Sequence, residues 1–98
     1  MIRHMLFWNR AEGAPARDEL LPSLQESFSE MVGSISGLRL AQVDFDEGVG
    51  THEIGLYTEF DSMEALNAYQ VHPLHLVFKE KLGPCLRDRV CVDLEVAE

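Results

Sequence analysis

Tyr69, His72 and His75 stand three residues apart on either side of Pro73. Imidazole takes up or delivers a proton near neutral pH, and a phenol can donate a hydrogen bond to an oxygen that gains negative charge. One histidine acting as general base beside a phenol is therefore enough to move a proton next to a carbonyl. His4 lies within the apolar face Ile2, Leu6 and Trp8. It either adds a third imidazole to the same pocket or is a buried histidine bonded to backbone. The His-Pro segment has a purely structural reading too. His72 or His75 would bond carbonyls freed at a helix end, and Tyr69 would be an amphipathic core residue. A metal site is not predicted, because a proline separates His72 from His75 and no cysteine or fixed carboxylate lies near them in sequence. His52 follows a glycine loop and is expected at the surface. The run Asp44, Asp46, Glu47 and Gly48 lacks the spacing and terminal glutamate of an EF-hand loop.

The elements that position these groups follow from periodicity. Asp61 and Glu64 form a capping-box pattern, and Met63, Glu64, Ala65, Leu66 and Ala68 are good helix formers. Pro73 biases His72 away from helical backbone, so the helix is expected to end near Gln70 or Val71 with Tyr69 in its last turn. Residues 2–9 alternate Ile2, His4, Leu6, Trp8 against Arg3, Met5, Phe7, Asn9, a strand with large apolar groups on both faces. After a loop containing Gly13 and Pro15, Leu20, Leu21, Leu24, Phe28, Met31 and Val32 recur at helical spacing. Asp18 is expected to cap that helix, Pro22 to disturb its first turn, and Gly33 to end it. Leu38 to Asp46 reads as a strand with Leu38 and Leu40 on one face and Ala41, Val43 and Phe45 on the other. A glycine loop then leads into a partner strand, His52 to Phe60. Leu74 to Leu82 fits a short helix stopped by Gly83 and Pro84, and the last strand alternates Val90, Val92, Leu94, Val96 against Cys91, Asp93, Glu95.

Strand, helix, strand, strand, helix, strand is the order of a ferredoxin-like split βαβ fold. This α+β class has a four-stranded antiparallel sheet with its helices on one face. Leu6, Trp8, Leu24, Phe28, Leu66 and Val92 are expected between sheet and helices. Met5, Phe7, Val43, Phe45 and Tyr57 are expected on the other face, whose cover would be a second copy of the chain, making a homodimer.

The 98 residues, read as one domain over 1–98, carry 8 Lys and Arg against 17 Asp and Glu, a net charge of −9. Phosphate backbones and anionic lipid surfaces would repel such a chain, so neither nucleic acid nor membrane is an expected partner. Cys85 and Cys91 form no C-x-x-C pair and read as reduced thiols. The apolar run Met5 to Trp8 is too short for a signal core or a span, and a soluble, cytoplasmic protein is expected.

The motif Tyr69-x-x-His72-Pro73-x-His75, after the helix start Phe60-Asp61-Ser62-x-Glu64-Ala65-Leu66, resembles the stress-responsive dimeric α/β-barrel (Dabb) family. Ile2-Arg3-His4, Ser36-Gly37-Leu38 and Val90-Cys91-Val92-Asp93 fall where that family has its first, second and last strands. The resemblance covers nearly the whole chain and implies two ferredoxin-like sheets packed face to face as a barrel. It extends distantly to the plant member olivetolic acid cyclase, whose tyrosine and histidine match Tyr69 and His75 and whose first-strand histidine matches His4. A further cyclase histidine on the third strand falls on Ile54. His72 matches a motif residue with no comparable role. The implied activity is cofactor-free proton transfer on a carbonyl or polyketide-like compound. His75 would be the base, Tyr69 the oxyanion donor, and His4 would close the pocket. His72, Leu6 and Trp8 would contact a small hydrophobic or aromatic ligand. The alternative is a non-catalytic stress or ligand-binding dimer.

Overall fold

The computed structural model describes all 98 residues. Its elements in chain order are β1 (Ile2–Arg10), α1 (Arg17–Ser34), β2 (Leu38–Phe45), β3 (Ile54–Phe60), α2 (Met63–Gln70), α3 (Pro73–Leu82), a 3₁₀ turn (Gly83–Cys85) and β4 (Leu86–Glu95). The strands form one antiparallel sheet in the order β2-β3-β1-β4, the ferredoxin-like α+β arrangement. The alternation of β1 and β3 decides the sheet's two faces. Ile2, Leu6 and Trp8 with Ile54, Leu56 and Phe60 are buried in one cluster with Leu24 and Phe28 of α1, Leu66 of α2 and Phe78 of α3. All three helices therefore cover the same face. No helix is long and apolar enough to cross a membrane.

Two strand assignments change. A β-bulge between Leu38 and Leu40 reverses the alternation of β2, so Leu38, Val43 and Phe45 share the helix-covered face with Phe60, Leu56 and Ile54. Val43 and Phe45 thus leave the open face for the core. Val92 goes the opposite way. It stands opposite Met5, and directly opposed residues of antiparallel strands point to the same side. Val90, Val92 and Leu94 consequently lie with Phe7 on the uncovered face, all four exposed, while Cys91 and Asp93 face the helices. Both faces of β4 are chemically plausible, and only pairing with β1 chooses between them.

The helix termini also differ in detail. Ser62, not Asp61, caps α2, its Oγ accepting from Ala65 N–H at 3.1 Å. Asp61 is instead bonded to the Arg39 guanidinium, which also pairs with Glu98. α1 starts at Arg17 after Ala16, with no side-chain cap, and runs through Pro22 and past Gly33 to Ser34. Pro22 cannot donate to the Asp18 carbonyl, but that end of the helix is exposed and water can take the free group.

Gly37, at φ +86°, makes the turn into β2, and a Cβ there would lie 2.5 Å from the Ala65 Cβ. Gly37→Ala therefore meets both a left-handed backbone and a clash with α2, and should cost roughly 1–3 kcal/mol. Gly33→Ala, helical and with nothing within 4 Å of the new Cβ, should instead gain roughly 0.5–1 kcal/mol. Urea midpoints of the two variants moving in opposite directions check both statements.

Candidate active site

His4 points into the helix-covered face because it shares the parity of Leu6 on β1. Its partner arrives from β4, where the register sets Asp93 directly opposite. The Asp93 carboxylate accepts a hydrogen bond from His4 Nδ1, and the Cys91 thiol sits 3.7 Å from the same nitrogen. A carboxylate only accepts, so the neutral ring carries its proton on Nδ1 and leaves the Nε2 lone pair free. The ring is 1% exposed and held edge-on by Phe60 and Tyr69, with centroids at 6.1 and 6.3 Å. Below it, Thr58 Oγ1 donates to the His4 carbonyl at 2.6 Å.

Tyr69 and His75 come from the break between α2 and α3. α2 ends at Gln70 with Val71 as its C-terminal cap, and His72 caps the start of α3, its Nδ1 accepting from Leu74 N–H at 3.1 Å with Pro73 at the first helical position. This short link folds α3 back far enough to stack His75 on Tyr69, with ring centroids 4.1 Å apart and planes at 21°. Phe78 backs His75 at 6.1 Å. Burial pushes the Tyr69 phenol above its ordinary value, so the hydroxyl remains a protonated donor. Burial first, then the Lys79 charge, lower His75 from the ordinary 6.5 to about 4, against a weaker pull from the Gln70 and Tyr69 carbonyls. His75 is a neutral ring at neutral pH.

His4, Leu6, Trp8, Tyr69, His75 and Phe78 wall a cavity of about 370 Å³. The buried side-chain polar atom left without a partner is His75 Nδ1. His4 Nε2 and the Tyr69 hydroxyl make no hydrogen bond either, yet they are not sealed off, and so they open onto this space. The exposed Lys79, Arg87, Asp88 and Arg89 stand at its mouth.

The structure thus brings together His4, Tyr69, His75, Leu6 and Trp8. His72 is not in the lining, because its ring is used as the cap of α3. His52 is half-buried rather than exposed, with Nε2 bonded to the Asp88 carbonyl at 3.1 Å. Asp93 and Cys91 escaped the sequence reading. A lone aspartate alternating with valines looks like a solvated position until β4 is paired with β1. Their arrival also alters the argument about metals. His4 Nδ1, Cys91 Sγ and an Asp93 oxygen lie within 4.8 Å of one another and are the atoms that could hold a cation. Such an ion would have to displace the His4–Asp93 hydrogen bond. Burial and the Asp93 charge push the Cys91 thiol up, which keeps it protonated and unsuited to nucleophilic attack.

His75 has a folded-state value below its unfolded one, so the unfolded chain takes up the proton first as pH falls. The stability it contributes is complete above about 6.5 and is lost as pH falls through about 4. His75→Phe should remove that part of the acid sensitivity. Urea midpoints of the two proteins at about pH 7 and about pH 4.5 should diverge least for the variant.

Comparison with known proteins places this geometry in context. A search among curated proteins finds no match. A dimeric protein of unknown function and ferredoxin-like fold from Bacteroides fragilis is similar at 26% identity and TM-score 0.83, covering 97% of this chain and 95% of that one. A dimeric ferredoxin-like protein of unknown function from Thermobifida fusca is similar at 22% identity and TM-score 0.81, covering 97% and 90%. The hydroxynitrile lyase of Passiflora edulis shares the fold at TM-score 0.81 and 13% identity, over 99% and 94% of the two chains. The model of the stress responsive A/B barrel domain matches residues 2–96, nearly the full length, and the chain belongs to that family.

Proposed function

We propose that this protein is a cofactor-free enzyme that moves a proton on a small carbonyl compound, with His4 rather than His75 as the base. The observation that carries this reading is the His4–Asp93 hydrogen bond, which leaves Nε2 as a lone pair facing a cavity beside the Tyr69 hydroxyl. His75, with no carboxylate to orient it and its basicity depressed by burial, is better suited to holding Tyr69 in place by stacking. In the reaction Nε2 takes a proton from the carbon next to the carbonyl. The released electron pair moves onto the carbonyl oxygen, where the Tyr69 hydroxyl donates to it, and the proton then returns from Nε2. A hydroxynitrile lyase built on this fold supports an enzyme here.

The test is deuterium exchange in heavy water, followed by NMR, at the carbon beside the carbonyl in a panel of aryl ketones and diketones. Exchange above the buffer rate that is lost in His4→Gln supports the reading. Saturable binding without exchange anywhere in the panel overturns it and leaves a ligand-binding protein.

The working unit of this proposal is a homodimer. Phe7, Val90, Val92 and Leu94 are exposed together on the sheet face that the helices leave bare, and similar proteins are dimeric. Val92→Asp, which would put a charge into the middle of that face, should sediment as a monomer at concentrations where the unaltered protein sediments as a dimer.

A further inference from the structure

The cavity mouth concentrates a charge that the rest of the chain lacks. Only 8 residues are Lys or Arg against 17 Asp and Glu, yet three of the basic ones, Lys79, Arg87 and Arg89, border this single cavity. Of the five other cations, Arg3 and Lys81 lie away from this cavity and the remaining three are engaged. Arg10 is bonded to Glu53, Arg39 to Asp61 and Glu98, and Arg17 lies over the Phe45 ring at 4.7 Å. At the mouth, Arg87 is 3.5 Å from Asp88, whose carboxylate also accepts from Asn9 Nδ2 at 3.0 Å. Lys79 and Arg89 have no acidic partner.

Their placement comes from two separate elements. Lys79 is one helical turn beyond His75 on α3, and so on the same side of that helix. Arg89 stands on β4 at a bulge, where two steps along β1 from Phe7 to Asn9 match three along β4 from Val90 to Arg87. Asp88 adopts φ +56° there, a backbone conformation uncommon for a side chain, and is held by Asn9 and by His52 on its carbonyl. Two unpaired cations thus flank an aromatic-walled opening in a protein of net charge −9.

We propose that the ligand of this cavity is an aromatic or short apolar compound bearing a carboxylate, whose anion is held at the mouth by Arg89 and Lys79 while its carbonyl reaches inward to His4 and Tyr69. A wholly neutral ligand would leave those charges without purpose, and the apolar walls below have no cation for the anion to reach. The inner half of this assignment rests on the proton-transfer reading above, whereas the anion site stands on the mouth residues alone.

The experiment uses para-acetylbenzoate and its neutral isostere para-acetylbenzamide, each titrated into the full-length protein by NMR. A hydrogen bond to an ionised group outweighs a neutral one, so the acid should bind about ten- to a hundredfold more tightly. The preference should shrink with added salt. Arg89→Gln combined with Lys79→Gln should bring the acid down to the level of the amide. Equal affinity for both probes, a preference untouched by the double variant, or no saturable binding of the acid overturns the proposal. Deuterium exchange at the acetyl group is read separately. Selective binding without exchange removes the catalytic reading and keeps the anion site, and exchange of both probes with equal affinity does the reverse.

Discussion

Replacing His4 with glutamine should reduce proton exchange by about 100- to 10,000-fold, the usual contribution of a positioned general base. The loss is expected at His4 because Asp93 fixes the one tautomer whose Nε2 can accept, from a position 89 residues away in the chain. Asp93→Asn keeps the size of that partner but offers an amide that can donate to Nδ1, which favours the wrong tautomer. It should lose much of the rate while the ring stays in place between Phe60 and Tyr69. Tyr69→Phe removes one donor to the developing oxyanion and should cost about 2.7–4 kcal/mol in the barrier. His75→Phe, which keeps a ring against Tyr69, should cost far less than either. Exchange rates for the four variants, measured beside their urea midpoints, separate loss of chemistry from loss of fold. A His75 variant as slow as the His4 variant would return the base role to His75.

The largest effect on stability is expected at Phe28. Its ring is 1% exposed, packs 4.8 Å from Phe78 and joins α1 to α3 over the sheet. Phe28→Ala should cost about 3–5 kcal/mol, as truncation of a buried aromatic leaves a hole that neighbours close only in part. Domains of this size have roughly 5–15 kcal/mol in all, so from about a fifth to nearly the whole of it would be lost. Phe28 also borders the cavity lined by His4 and Tyr69, and the variant should bind larger aromatic ligands than the unaltered protein. Urea unfolding at several protein concentrations measures the cost, because a dimer's stability depends on concentration. A midpoint that scarcely moves would mean that Phe28 is not a support of this core.

Much of this architecture is legible from local pattern. The strict alternation along β1 and β3 identifies two strands and their inward faces, since a strand's side chains must alternate. Pro73 ends α2 because the residue before a proline avoids helical backbone, and that one stop sets Tyr69 and His75 on neighbouring helices. The order of elements then leaves few topologies. Other features have no local signal. The bulge after Leu38 moves Val43 and Phe45 into the core through one unpaired residue, and nothing in the apolar run of β2 marks it. Choosing Ser62 over Asp61 as cap depended on Arg39 being available to take the Asp61 carboxylate.

The ferredoxin-like element order, the inward parity of His4 and the closeness of Tyr69 to His75 are legible locally, because each follows from strand alternation or helix termination within a few residues. Tertiary structure alone decided the rest of the site. Antiparallel pairing of β4 with β1 turned Asp93 toward His4, sent Val92 to the bare face and carried Arg89 to the cavity mouth. A one-residue shift in that register would have reversed all three, since register is set by the packing of whole faces and not by any single residue.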